Sequence, residues 1–95
     1  MRFAGFDWDQ GNWPKCAKHG LSKSEIEAVF RNEPRTDADP STIERRFRAV
    51  GQNGEGRYVF VVFSIRVRDG ARFIRPISAR YMHAKEVMRY DQSKT

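Results

Sequence analysis

Apolar and polar residues alternate most clearly between Tyr58 and Val67. There Val59, Val61, Phe63, Ile65 and Val67 fall on one side of an extended chain, which predicts a strand with one buried face. Arg46–Gln52 alternates in the same way, with Phe47 and Ala49 opposed to Arg46 and Arg48. Between these runs, Asn53-Gly54, extended by Gly56, predicts a hairpin turn. Arg68-Asp69-Gly70-Ala71 predicts a second turn, and Arg72–Ala79 a third strand. Strict alternation puts Phe73, Ile77 and Ala79 on one face of it and Arg72, Ile74, Pro76, Ser78 and Arg80 on the other. Pro76 has no N–H for a ladder, so this strand is either an edge or kinked there.

The period changes on either side of the strands. Ser22-Lys23-Ser24-Glu25 is a capping box, and Ile26, Val29 and Phe30 form one stripe of a helix over Lys23–Arg31. Leu21 is placed to staple onto Ile26, and Pro34 ends the unit. Pro14 and Gly20 frame a shorter helix over Pro14–His19. Phe3–Phe6 reads as a short edge strand, and residues 35–42, polar and holding Pro40, as a loop or weak edge strand. A terminal helix is predicted over residues 83–91, with Val87 and Tyr90 on one face, and Gln92–Thr95 fray. The predicted fold is α+β, in one domain over residues 1–95. Two N-terminal helices and a C-terminal helix flank a small antiparallel twisted meander.

Composition narrows the function. Ninety-five residues suit one small core, and 39% hydrophobic residues are enough to build it. Nothing approaches the ~20 apolar residues of a membrane span, and the N-terminus has no apolar segment of a signal peptide, so a cytoplasmic protein is expected. The single cysteine, Cys16, excludes an internal disulfide framework. The net charge is +6 and is uneven. Residues 1–34 carry five basic and five acidic side chains, whereas residues 35–95 carry thirteen basic and seven acidic. Thirteen of the 18 cations are Arg, the side chain that forks phosphate oxygens and stacks on bases. The polar sheet face, carrying Arg46, Arg48, Tyr58, Arg66, Arg72 and Arg80, is therefore a candidate RNA platform or a surface for an acidic protein.

Several stretches together resemble the BrnT family, ribonuclease toxins of type II toxin–antitoxin modules. They are Phe6-Asp7-Trp8-Asp9, Lys18-His19-Gly20-Leu21-Ser22, Arg46-Phe47-Arg48-Ala49-Val50-Gly51, Gly56-Arg57 with Tyr58–Phe63, Arg75-Pro76-Ile77-Ser78-Ala79-Arg80, and Lys85-Glu86 with Arg89-Tyr90. The resemblance runs from residue 6 to about residue 91. It implies a RelE-like fold, metal-independent RNA cleavage without a cofactor, and growth arrest. It also implies a BrnA-like antitoxin, with operator DNA contacted only through the toxin–antitoxin complex. One departure concerns Glu44-Arg45, where the family often carries paired acids.

Cleavage of RNA without metal needs a base for the 2′-hydroxyl, an acid for the leaving 5′-oxygen and cations at the phosphate. His19 is the candidate acid or base by its ordinary pKa near 6.5, or else a structural residue at a helix end; His83 is second. Arg80 is the candidate phosphate clamp, or a partner of Glu86. Glu86 is a candidate base and Tyr90 a candidate donor or stacking group. Lys18, Arg46, Arg48, Arg66 and Lys85 complete the candidate RNA-binding set. A non-catalytic basic module that binds RNA or protein is the competing reading.

Overall fold

In the computed structural model, residues 2–39 and 45–93 are described. Helix α1 spans Lys23–Arg31 and starts where the capping box sets it. Ser22 Oγ accepts from the Glu25 N–H at 3.1 Å, and the Glu25 carboxylate accepts from the Ser22 N–H at 3.0 Å. These bonds satisfy N–H groups that the first helical turn leaves without partners. The buried side of α1 is Ile26, Val29 and Phe30, as the 3.6-residue spacing predicts. Two N-terminal α-helices are not formed. Lys15–His19 is a single 3-10 turn, closed by the Ala17 N–H to the Pro14 carbonyl at 2.8 Å and by Gly20 N–H to Ala17. Five residues between a proline and a left-handed glycine leave no room for repeating i to i−4 bonds. The turn still anchors Cys16, which is 1% exposed in the core.

The sheet has five strands: β1 Gly5–Phe6, β2 Arg35–Ala38, β3 Phe47–Gln52, β4 Tyr58–Arg68 and β5 Ala71–Tyr81. Their order is β1-β5-β4-β3-β2. β2 to β5 form an antiparallel meander, but β1 joins β5 in parallel, so the sheet is mixed rather than the small antiparallel one expected. A two-residue strand carries no alternation from which its direction can be read. The polar stretch after Pro34 supplies the opposite edge, β2. Helix α2, Ala84–Ser93, follows β5 directly.

The faces of β5 also differ from strict alternation. Pairing runs Val62 opposite Ser78, then Phe63 opposite Pro76, so Ile77 is an extra residue in a bulge. One inserted residue reverses the side on which every earlier side chain falls. Ile74 and Pro76 are therefore buried in the core together with Ala79, while Ser78 and Arg80 face the other way. Arg72 moves to the helix side, its guanidinium 5.8 Å from the Phe3 ring, and leaves the expected Arg row. Pro76 is accommodated because β1 stops at Phe6, opposite Ile74. Its carbonyl is taken by the Asn12 side-chain amide at 2.9 Å.

The core lies between α1, the 3-10 turn and this face of the sheet. Phe30 sits edge-on between Phe6 and Phe63, with ring centroids 5.8 and 5.0 Å away. An ionic clasp closes the β1 end. Asp7, 6% exposed, accepts from Arg75 and Arg68 at 3.0 Å each, and Arg75 also forks Asp9 at 2.9 Å. These contacts hold the Asp9 carboxyl below the ordinary carboxylate range, chiefly through the Arg75 hydrogen bonds.

Candidate nucleic-acid interface

The sheet face turned away from α1 is not uniformly polar. Register places Arg48 beside Val62, Val50 beside Phe60, and Phe60 beside Arg80. Apolar residues on an outward face need a cover, and α2 supplies part of it. Tyr90 meets Tyr58 edge-on at 5.4 Å, and the Tyr58 hydroxyl donates to Asp91 at 3.0 Å. Between α2 and the strands a groove of about 290 Å³ remains, lined by Arg35, Asp37, Arg48, Val50, Phe60, Arg89 and Tyr90.

Arg80 stands at the edge of this groove with its guanidinium 4.8 Å from the centre of the Phe60 ring. Its two terminal nitrogens donate to the two Glu86 oxygens at 2.8 and 2.9 Å, a fork-to-fork pair. Glu86 also accepts from the His83 N–H at 3.0 Å, at the start of α2. Its carboxyl is pulled down to about 2, first by the Arg80 hydrogen bonds and then by that backbone N–H. The arrangement is thus a delocalised cation stacked on an aromatic ring, with a carboxylate in the place a phosphate can take.

Of the nine sequence-predicted site residues, Arg48, Arg80, Glu86 and Tyr90 come together here. Arg46 lies half-buried just before β3, and Arg48 is braced by Asp39 at 3.4 Å. Arg66 shares the sheet face but pairs with Phe73, near the far end of β4. Six residues of strand, about 20 Å, separate it from Phe60. Lys85 is exposed on α2. Lys18 and His19 are exposed on the 3-10 turn, in the layer on the opposite side of the sheet, and neither lines the groove. Glu44 lies outside the described residues.

Arg35, Asp37, Phe60 and Arg89 were not among the expected residues. Phe60 had a signal: Tyr58, Phe60 and Val62 alternate on the side opposite the core, which calls for a second covering element. Arg35 and Asp37 had none, because β2, Arg35-Thr36-Asp37-Ala38, holds no large apolar residue to mark its faces.

A separate cluster lies on the helix side. The Tyr81 hydroxyl donates to Glu25, and Arg57 stacks 3.5 Å from the Tyr81 ring centre. The hydrogen bond to Glu25 raises the Tyr81 pKa, and the same bond lowers that of Glu25. Asn53 ties this cluster to the β3–β4 turn, accepting from the Glu55 and Arg57 N–H groups at 2.9 and 3.0 Å. Among the described residues no three His, Cys, Asp or Glu side chains converge as a metal-binding group, and no helix is long and apolar enough to cross a membrane.

A family comparison places the chain: residues 8–86 match the family model described as ribonuclease toxin, BrnT, of type II toxin–antitoxin system. That family is BrnT, and the chain belongs to it. A comparison with curated proteins gives no match.

Proposed function

We propose that this toxin is a metal-independent endoribonuclease whose substrate strand lies in the groove between α2 and the outer face of β2–β4, with Arg80 of β5 at its edge. The observation that supports the reading is the Arg80 fork, stacked on Phe60 and answered by the Glu86 carboxylate. A phosphodiester entering the groove exchanges with Glu86 on Arg80, with Arg48 and Arg89 supplying further positive charge. Phe60 and Tyr90 offer ring faces to bases.

The exchange gives Glu86 its chemistry. While Arg80 holds it, the carboxyl is too acidic to act as a useful base. Released, it returns toward its ordinary value of 4.5 and can take the 2′-hydroxyl proton. Attack of the 2′-oxygen on phosphorus forms a 2′,3′-cyclic phosphate and expels the 5′-oxygen. Tyr90, which lines the groove, protonates that oxygen in this reading, and Arg80 neutralises the charge that develops on the phosphoryl oxygens. In this reading Lys18, His19 and Arg66 stand outside the reacting groups, and His19→Ala keeps the wild-type rate. The cellular outcome is growth arrest, relieved by a BrnA-like antitoxin that carries the complex to operator DNA.

The test is purified protein with single-stranded RNA in EDTA. Cleavage by the wild type, lost in Arg80→Ala, supports the enzyme. RNA retained without cleavage leaves only a binding module.

A further inference from the structure

The apolar side of β4 is longer than the layer that covers it. Val59, Val61, Phe63, Ile65 and Val67 project to the same side, yet Val59 and Val61 are fully buried whereas Val67 is 65% exposed. α1 ends at Arg31 with Phe30 against Phe63 and goes no further along the strand. The uncovered end is Val67, opposite Arg72, with half-buried Ile65 next along the same side; Ile74, opposite Ile65, is already buried. Two depressions mark it. One of about 630 Å³ is walled by Phe3, Phe6, Phe30 and Ile74, and one of about 240 Å³ by Phe47, Ile65 and Val67. Arg72 lies on the rim of the second and reaches over Phe3 at the edge of the first, joining them.

We infer that this face docks an acidic amphipathic helical segment of the antitoxin. The inference rests on family membership for the existence of that partner, and it assigns the partner a surface on the opposite side of the sheet from the RNA groove. The apolar floor crosses β1, β5, β4 and β3, about 14 Å at the usual strand spacing, which matches about nine residues of helix. A segment lying across the strands cannot pair with their backbones, so it must satisfy its own, as a helix does. Apolar side chains one turn apart then enter the two depressions. Charge decides the flanks. Among the described residues, the Val67 end is rimmed by Arg72 and Arg45 with no acidic lining residue, while at the other end Arg31 is paired with Glu27 and Glu33 is present. Carboxylates on the segment therefore fall toward Arg72. An apolar patch whose exposed Val67 end is flanked by two arginines is an interaction surface rather than ordinary solvent-facing sheet.

The test uses Val67→Asp and Arg72→Glu in the full chain, both at exposed positions, with a thermal melt to confirm folding. Titration of the purified antitoxin of the same module should show each change weakening binding by about tenfold or more. Val67→Asp should leave RNA cleavage at the wild-type rate, and Arg48→Glu should leave antitoxin affinity within about twofold. Unchanged affinity in both variants overturns the proposal. So does loss of antitoxin binding in Arg48→Glu alone, which would put the partner in the RNA groove. Sedimentation of the toxin by itself covers the remaining occupant: a dimer dispersed by Val67→Asp would mean a second copy fills this face. Cleavage is read separately, so an inactive wild type refutes the ribonuclease reading without touching the docking result.

Discussion

Arg80 and Glu86 meet across the junction of β5 and α2 through two hydrogen bonds of 2.8 and 2.9 Å, directly above the ring of Phe60. The pair performs two tasks at once. It fixes the first turn of α2 against the sheet, and it puts a carboxylate at the place that the proposed function gives to the substrate's phosphate.

The pair makes α2 docking sensitive to acid. Glu86 falls from 4.5 to about 2 on folding, so the folded state favours its anion. A depressed carboxyl contributes fully above about 4.5, and that contribution is lost as pH falls toward about 2. Near-ultraviolet circular dichroism of the Tyr58–Tyr90 pair should weaken over that window. In Arg80→Ala the acid dependence of the same signal should shrink, because only the His83 end of α2 then holds the carboxyl below its ordinary value.

RNA affinity should fall with salt. Four arginines in or beside the groove, Arg35, Arg48, Arg80 and Arg89, can neutralise about four phosphates, giving a log–log slope of about −3 on a single strand. A binding titration between low and moderate salt measures it. Arg80→Ala should flatten the slope by about 0.7.

The clasp at the other end of the sheet is structural. Asp7→Asn removes the anion between Arg68 and Arg75 while Asp9 still holds Arg75. The loss should be about 1–3 kcal/mol by urea denaturation, below the full cost of stranding a buried charge because one partner remains. RNA cleavage by the folded fraction should be unaffected.

What could be read beforehand followed from strong local patterns. The capping box and the Ile26–Val29–Phe30 stripe placed α1 at Lys23–Arg31, and alternation placed β4, because each pattern is written in consecutive residues. What could not be read depended on contacts made elsewhere in the chain. The parallel pairing of β1 is carried by two residues, Gly5 and Phe6. The bulge at Ile77 is invisible to a period of two, yet it moves Ile74 and Pro76 into the core and takes Arg72 off the Arg face. Within the site, Arg80, Glu86 and Tyr90 were readable as candidates from the end of β5 and the spacing on α2. The groove itself was not, since it needs α2 to fold back over Phe60 and polar β2 to bring in Arg35 and Asp37.

The central claim is that the groove beside α2, rather than the whole Arg-rich face, is where RNA is cut. The most direct measurement is the cleavage rate of single-stranded RNA in EDTA for Arg48→Ala and Arg66→Ala. Both residues lie on the same sheet face, but Arg48 lines the groove and Arg66 sits near the far end of β4. Arg48→Ala should lose about tenfold or more, on the scale of one charge-assisted phosphate contact, and Arg66→Ala should keep a near wild-type rate. An equal loss in both, or a loss confined to Arg66→Ala, would contradict the claim.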